Sequence, residues 1–186
     1  MKERLLLVGS GGLGRVVLEH AMKDYDCSFV DDGYNRGSSV CGVSIVGHVS
    51  DIETLFNDYK KLFISIGDNS LREKIYAKAK KIGYTIPNIV HSSVYISPFA
   101  KIGEGCLFLN NVVIQNGSSV GNGVILNPGV EIHHDSFIDD YSLIYTNSVV
   151  RTLARVGKRA KIGSNCTISN NVVMDIDSIL DNGCVL

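Results

Sequence analysis

The nine residues Val130-Glu131-Ile132-His133-His134-Asp135-Ser136-Phe137-Ile138 set two isoleucines six positions apart, with two histidines and an aspartate between them. Stepping by six in both directions gives Val90, Ile96, Ile102, Phe108, Ile114, Val120, Leu126, Ile132, Ile138, Ile144, Val150, Val156, Ile162, Ile168, Met174, Leu180 and Leu186, all apolar. Ordinary chains are apolar at about half of their positions, so a run of this length arises by chance about once in 10^5 trials and the period belongs to the fold. Two positions before each member runs a column of small or compact residues, among them Cys106, Val112, Ser118, Val130, Ser136, Ser142, Ser148, Ala154, Ala160 and Cys166. A β-sandwich would alternate with period two and drift in loop length. A fixed six predicts a triangular parallel β-helix, in which each hexapeptide is one short strand and one turn. Residues eighteen apart, such as Ile114, Ile132, Val150 and Ile168, then stack in successive coils. Flat faces and exposed strand edges predict self-association, and a three-sided prism suits a cyclic trimer.

The bulk composition narrows the function. The chain has 186 residues, 45% hydrophobic, with a net charge of -1, enough for one large or two small domains. No basic run points to nucleic acid and no apolar run is long enough to cross a membrane. The apolar segment after Met1 is too short for a signal peptide and runs into a glycine loop, which predicts a cytoplasmic protein. Cys27, Cys41, Cys106, Cys166 and Cys184 form an odd set without a C-x-x-C pair, arguing against a disulfide framework or a zinc knuckle.

Before Pro87 the pattern is different. Arg4–Val8 reads as a buried strand, Gly9-Ser10-Gly11-Gly12-Leu13-Gly14 as a glycine loop, and Arg15–Met22 as an amphipathic helix. Residues 27–33, ending in Asp31-Asp32-Gly33, and 61–67 read as further strands, with helices over 50–57 and 70–82. About three parallel strands alternating with helices make a small Rossmann-like sheet whose ligand sits at the strand C-termini. The predicted domains are therefore residues 1–87, a Rossmann-like α/β unit, and residues 88–186, a β-helix. Gly9, Gly11 and Gly14 satisfy G-x-G-x-x-G, and Asp31 and Asp32 stand where an acid meets a ribose hydroxyl. With no second mononucleotide half, a single nucleotide carrying a sugar fits better than a nicotinamide dinucleotide. The loop amides would attract a diphosphate, or the loop is a structural turn. At the end of the third strand, Gly67 is followed by Asp68 and Asn69; Asn69 is a candidate ligand contact, and either residue is equally suited to cap a helix.

The segments LLLVGSGGLGRVV (5–17), FVDD (29–32), ISIGDNSLR (64–72) and GVEIHHDSFIDDYSLI (129–144), in this order over essentially the whole chain, resemble the sugar O-acyltransferases of the sialic acid O-acetyltransferase type. Within that group the chain is most similar to the UDP-4-amino-sugar N-acetyltransferases of bacillosamine-type glycan pathways. The resemblance implies a left-handed parallel β-helix assembled as a homotrimer, acetyl-CoA as co-substrate between neighbouring helices, and a nucleotide-sugar on the N-terminal domain. It places the substrate at Gly9, Ser10, Gly11, Gly12, Leu13, Asp31 and Asp32, to which the end of the third strand adds Gly67 and Asn69 as candidate contacts, and acetyl-CoA near Leu143, Gly163, Ser164 and Asn182. His134 followed by Asp135 matches the catalytic pair. Two family histidines fall on Leu13 and Leu143, which bears on substrate identity.

Acetyl transfer from a thioester needs the acceptor deprotonated as it attacks, and a neutral imidazole suits that task. With Ile132 inward, His134 and Asp135 lie on a corner from which a side chain reaches outward, and a carboxylate there orients the ring. Neighbouring histidines do not readily share one ion and no third ligand is spaced around them, so no metal is expected. His133 is read as structural or as a substrate neighbour. The alternatives are O-acetylation of a sialic-acid-like sugar and a non-catalytic nucleotide-sugar-binding protein.

Overall fold

The computed structural model describes residues 2–186. The chain divides into two compact units, one ending at Ile89 and one spanning Val90–Leu186.

In the first unit, β1 (Glu3–Val8), β2 (Tyr25–Val30), β3 (Ser39–Val40), β4 (Val43–Gly47) and β5 (Lys61–Ile64) form one sheet in the order β3-β4-β2-β1-β5. All pairs are parallel except the β3–β4 hairpin. Leu5, Leu6, Leu7 and Val8 are fully buried, as befits a central strand covered on both faces. Helix α1 (Gly12–Ala21) follows the glycine loop, and α2 (Asn69–Ile82) follows β5. The sheet therefore has a fourth parallel strand, β4, beyond the three expected. The helix expected over 50–57 is two single 3-10 turns, Val49–Ile52 and Thr54–Asn57. At the start of the first turn Asp51 accepts from the His48 amide at 2.9 Å, and across the junction the Thr54 hydroxyl donates to the Asp51 carbonyl at 2.9 Å. Short polar side chains that bind nearby backbone in this way compete with a continuous helix.

The second unit is the left-handed parallel β-helix. Its two-residue strands form three parallel sheets. One face carries Ile96, Ile114, Ile132, Val150 and Ile168; another carries Ile102, Val120, Ile138 and Val156; the third carries Phe108, Leu126, Ile144, Ile162 and Leu180. Pairing is in register at eighteen, as in Ile114 with Ile132 and Ile132 with Val150. Ile114, Leu126, Ile132, Ile138, Ile144, Val150, Val156, Ile162 and Ile168 have no exposed surface, so the period-six column is the axis of the helix.

The small column is chemical as well as steric. Ser136 donates to the Arg151 carbonyl at 2.9 Å, Ser142 to Gly157 at 3.0 Å, and Ser148 to Gly163 at 2.6 Å, each fifteen residues on. The thiols of Cys106 and Cys166 occupy the same place against Gly121 and Asp181 carbonyls, at 3.1 and 3.0 Å. Each inward hydroxyl or thiol thus satisfies a corner carbonyl of the next coil, which is how polar atoms are kept inside without a desolvation penalty.

Candidate active site

The His134 corner is built by the repeat itself. Every sixth residue from Gly105 to Gly183 has positive φ, and Asp135, at 59°, is one of them. Aspartate adopts this conformation more readily than most residues because its short side chain bonds locally. The bend swings the carboxylate back to His134, whose Nδ1 lies 2.8 Å from Asp135 Oδ2. Gly117 lies one coil below: a Cβ there would stand 2.2 Å from Asp135 Oδ1, so glycine leaves the space that the carboxylate occupies. The His134 amide donates to Gln115 Oε1 at 3.1 Å, and its Nε2 lies 3.1 Å from Thr152 Oγ1, one coil above. An ionised carboxylate only accepts, so Nδ1 carries the ring proton and Nε2 presents its lone pair. The His134 side chain is 54% exposed. His133 turns the other way, with Nε2 3.4 Å from Glu131 Oε2. Among the described residues there is no group of three or more metal-ligating side chains.

A second feature occupies a different corner of the same prism. Gly163, Ser164 and Asn182, with Tyr145, Lys161, Ile179, Leu180 and Asp181, line a cleft of about 400 Å³. Asn182 Oδ1 accepts from the Ser164 amide at 2.7 Å, and a Cβ on Gly163 would lie 2.6 Å from the Asn182 amide, so the backbones of successive coils approach closely here. Leu143 is buried and does not line this cleft, although it pairs in register with Lys161. Tyr145 and Lys161 were not among the residues expected here; Tyr145 stands eighteen residues before Gly163, and Lys161 eighteen after Leu143.

In the first unit the glycines have separable roles. Gly9 has φ of 94° and makes the turn out of β1. Gly14 packs against that turn: a Cβ there would lie 2.1 Å from the Gly9 carbonyl oxygen. Added Cβ atoms on Gly11 and Gly12 would meet nothing, and neither residue needs positive φ, so their bareness leaves room outside the protein for an approaching group. No side chain caps α1, so its first amides have no side-chain acceptor. Leu13 is half-buried behind them.

Asp31 closes the loop from the other side. Its Oδ2 accepts from the Ser10 amide at 2.6 Å and the Ser10 hydroxyl at 2.7 Å, and its Oδ1 from the Gly33 amide at 2.8 Å. Burial works against its charge, yet these donors prevail and hold the carboxyl below the usual carboxylate range. Asp32 is exposed; its Oδ1 accepts from the Val49 amide at 2.9 Å and lies 3.9 Å from His48 Nδ1. Gly9, Asp31 and Asp32 border a cleft of about 300 Å³ with Val49, Ile66, Leu71 and Ile75. This apolar wall was not evident in the sequence. Gly67 and Asn69 do not line the cleft. Asp68 caps α2, accepting from the Leu71 amide at 2.8 Å, while Asn69 Oδ1 accepts from Arg72, a buried guanidinium that also donates to the Ile66 carbonyl.

Two family models match the chain: the PglD N-terminal domain over residues 4–79 and the GMPPB C-terminal domain over residues 85–186, more than half of the length. Among solved structures, the acetyltransferase domain of PglB from Neisseria gonorrhoeae in complex with acetyl coenzyme A is similar, with a TM-score of 0.91 at 26% identity; the match covers 100% of this chain and 93% of that one. PerB from Caulobacter crescentus in complex with CoA and GDP-perosamine gives a TM-score of 0.92 at 29% identity, covering 98% and 87%. A curated relative, the UDP-3-O-acylglucosamine N-acyltransferase of Anaeromyxobacter dehalogenans, is 43% identical over 49 residues. That match takes in 26% of this chain and 14% of the relative.

Proposed function

The chain belongs to the hexapeptide-repeat sugar N-acetyltransferase family, and from that premise we propose that it transfers acetyl from acetyl-CoA to the amino group of a nucleotide-linked 4-amino sugar. His134 is the general base of this reading and Asp135 its orienting acid. The observation that carries it is the contact between His134 Nδ1 and the Asp135 carboxylate at 2.8 Å, which leaves Nε2 as the basic nitrogen of a ring on an exposed corner.

The amine attacks the thioester carbonyl and loses a proton toward Nε2; the C–N bond forms, the C–S bond breaks, and the imidazolium returns the proton to the departing thiolate. Asp135 keeps the ring oriented through the transfer. The open glycine loop and the α1 amides suit a diphosphate, and the neighbouring apolar cleft at Val49, Ile66, Leu71 and Ile75 suits a nucleoside. The cleft of Gly163, Ser164 and Asn182 offers backbone groups, the Lys161 charge and the apolar Ile179 to acetyl-CoA. His134 follows the face that bears Ile132, whereas this cleft follows the face that bears Ile162 and Leu180. In this reading the protein works in the cytoplasm as a cyclic homotrimer, its site shared between one copy's corner and the next copy's cleft.

The test is CoA thiol release with UDP-, GDP- and CMP-linked amino sugars. Turnover is expected with an amino acceptor, and His134→Ala is expected to lower kcat by about 10²- to 10⁴-fold. A His134→Ala variant working at the wild-type rate removes the base; turnover only on hydroxyl acceptors replaces N-acetylation by O-acetylation.

A further inference from the structure

We propose that Thr152 is a further catalytic residue, the hydroxyl through which His134 exchanges its proton with the acceptor; this rests on the reading of His134 as base. Pro98, Asn116, His134, Thr152 and Asn170 occupy the same position in successive coils of one corner. Of these, Thr152 meets the ring. With Nδ1 protonated toward Asp135, the single lone pair of Nε2 accepts the Thr152 hydroxyl proton across 3.1 Å. An acceptor arriving at Nε2 therefore meets Thr152 Oγ1, whose hydroxyl donates to the ring and whose own lone pairs can accept a proton.

Thr152 is held for this task. The ladder ties His133 N to the Val150 carbonyl at 2.9 Å, and the Thr152 carbonyl accepts from the Asn171 amide at 3.2 Å. A β-branched side chain in such a frame has few χ1 choices, so the hydroxyl stays on the ring. As the amine attacks the thioester carbonyl, an N–H bond breaks toward Thr152 Oγ1 while the Oγ1–H bond breaks toward His134 Nε2. The hydroxyl is restored, the imidazolium forms, and its proton later passes to the CoA sulfur as the C–S bond breaks. Nothing beyond acceptor and acetyl-CoA is consumed.

The experiment compares Thr152→Val, which keeps shape and removes the hydroxyl, with Thr152→Ser, which keeps the hydroxyl, beside His134→Ala. CoA release is followed with a saturating amino-sugar nucleotide, and thermal midpoints check folding. Thr152→Val is expected to lose at least about tenfold in kcat with acceptor KM nearly unchanged, and Thr152→Ser to stay within about threefold of wild type. A Thr152→Val variant as fast as wild type or faster overturns the proposal, because the hydroxyl is then only a competitor for Nε2. Equal losses in both variants overturn it too, by assigning the effect to packing. Full activity in His134→Ala, with or without a Thr152 effect, rejects the base instead. Side-chain ¹⁵N spectra give a second readout: the His134 Nε2 resonance should move in Thr152→Val and return in Thr152→Ser, and no movement overturns the hydrogen bond itself.

Discussion

The two units both bend their backbones into φ > 0, and they do so under opposite rules. In the glycine loop each glycine answers to a separate constraint: Gly9 makes a single turn at φ of 94°, and Gly14 gives way to the Gly9 carbonyl. In the β-helix the same conformation recurs every sixth residue and is filled by Asn111, Tyr141, Leu153 and Arg159 as readily as by Gly117. A coil closed above and below by ladders of hydrogen bonds imposes its turn geometry on whatever side chain is present, at a cost of about 1–2 kcal/mol for an ordinary residue. A loop that occurs once has no such support. The repeat therefore tolerates sequence variation where the loop does not, and the two proposed ligand sites differ in the same sense: one depends on bare backbone, the other on side chains carried by a rigid frame.

The largest effect expected from this contrast follows from Gly14→Ala. The new Cβ meets backbone, not a movable side chain, so α1 must shift away from β1 at a cost of roughly 3 kcal/mol. Hydrogen exchange should rise in peptides covering Glu3–Val8 and Gly12–Ala21 and stay unchanged in peptides from Ile114 to Ile168. Unchanged exchange in β1 and α1 would break the comparison at its strongest point.

Asp31→Ala should come next. The variant removes a partly shielded carboxylate that accepts from three donors, which puts the cost at about 1–2 kcal/mol at pH 7. The folded carboxyl titrates below its unfolded value near 3.9, so its contribution is complete above about pH 4 and is lost as the pH falls through the lower folded value. Urea midpoints of wild type and variant should differ at pH 7 and converge toward pH 2. A gap that persists in acid would mean that the loop is held by something other than this charge.

Legibility in the sequence followed the same division. The β-helix was readable because Ile114, Ile132, Val150 and Ile168 each restate one register, so no single residue has to be interpreted correctly. β4 was not readable: Val43–Gly47 is short, Val46 breaks the alternation begun by Val43 and Ile45, and its pairing with Phe29 and Val30 passes through a register shift that no local pattern marks. The doublet Asp31-Asp32 was visible as a candidate contact, but not that Asp31 is engaged by Ser10, because that depends on how the loop folds back. Thr152 lay within reach, since it stands eighteen residues after His134 in an eighteen-residue coil. The serine hydroxyls that cap corner carbonyls were seen only as small, because size sets the period while the hydrogen bond appears once the coils are stacked.

Leu153 supplies the finest test. It holds φ of 63° with 51% of its surface exposed, one coil above Asp135 and next to Thr152. Leucine gains little there from burial and bears the full cost of the left-handed conformation, whereas asparagine adopts it readily. If the coil alone dictates this position, Leu153→Asn should stabilise the second unit by about 1 kcal/mol, visible as a rise in its denaturation midpoint, and leave acetyl transfer unchanged. A variant that is no more stable, or that is more stable but binds its amino-sugar acceptor more weakly, would show that the repeat does not set this residue by itself. In the second case leucine is retained in a strained turn because the acceptor touches it, and the tolerance of the β-helix would end at the corner where the chemistry is proposed.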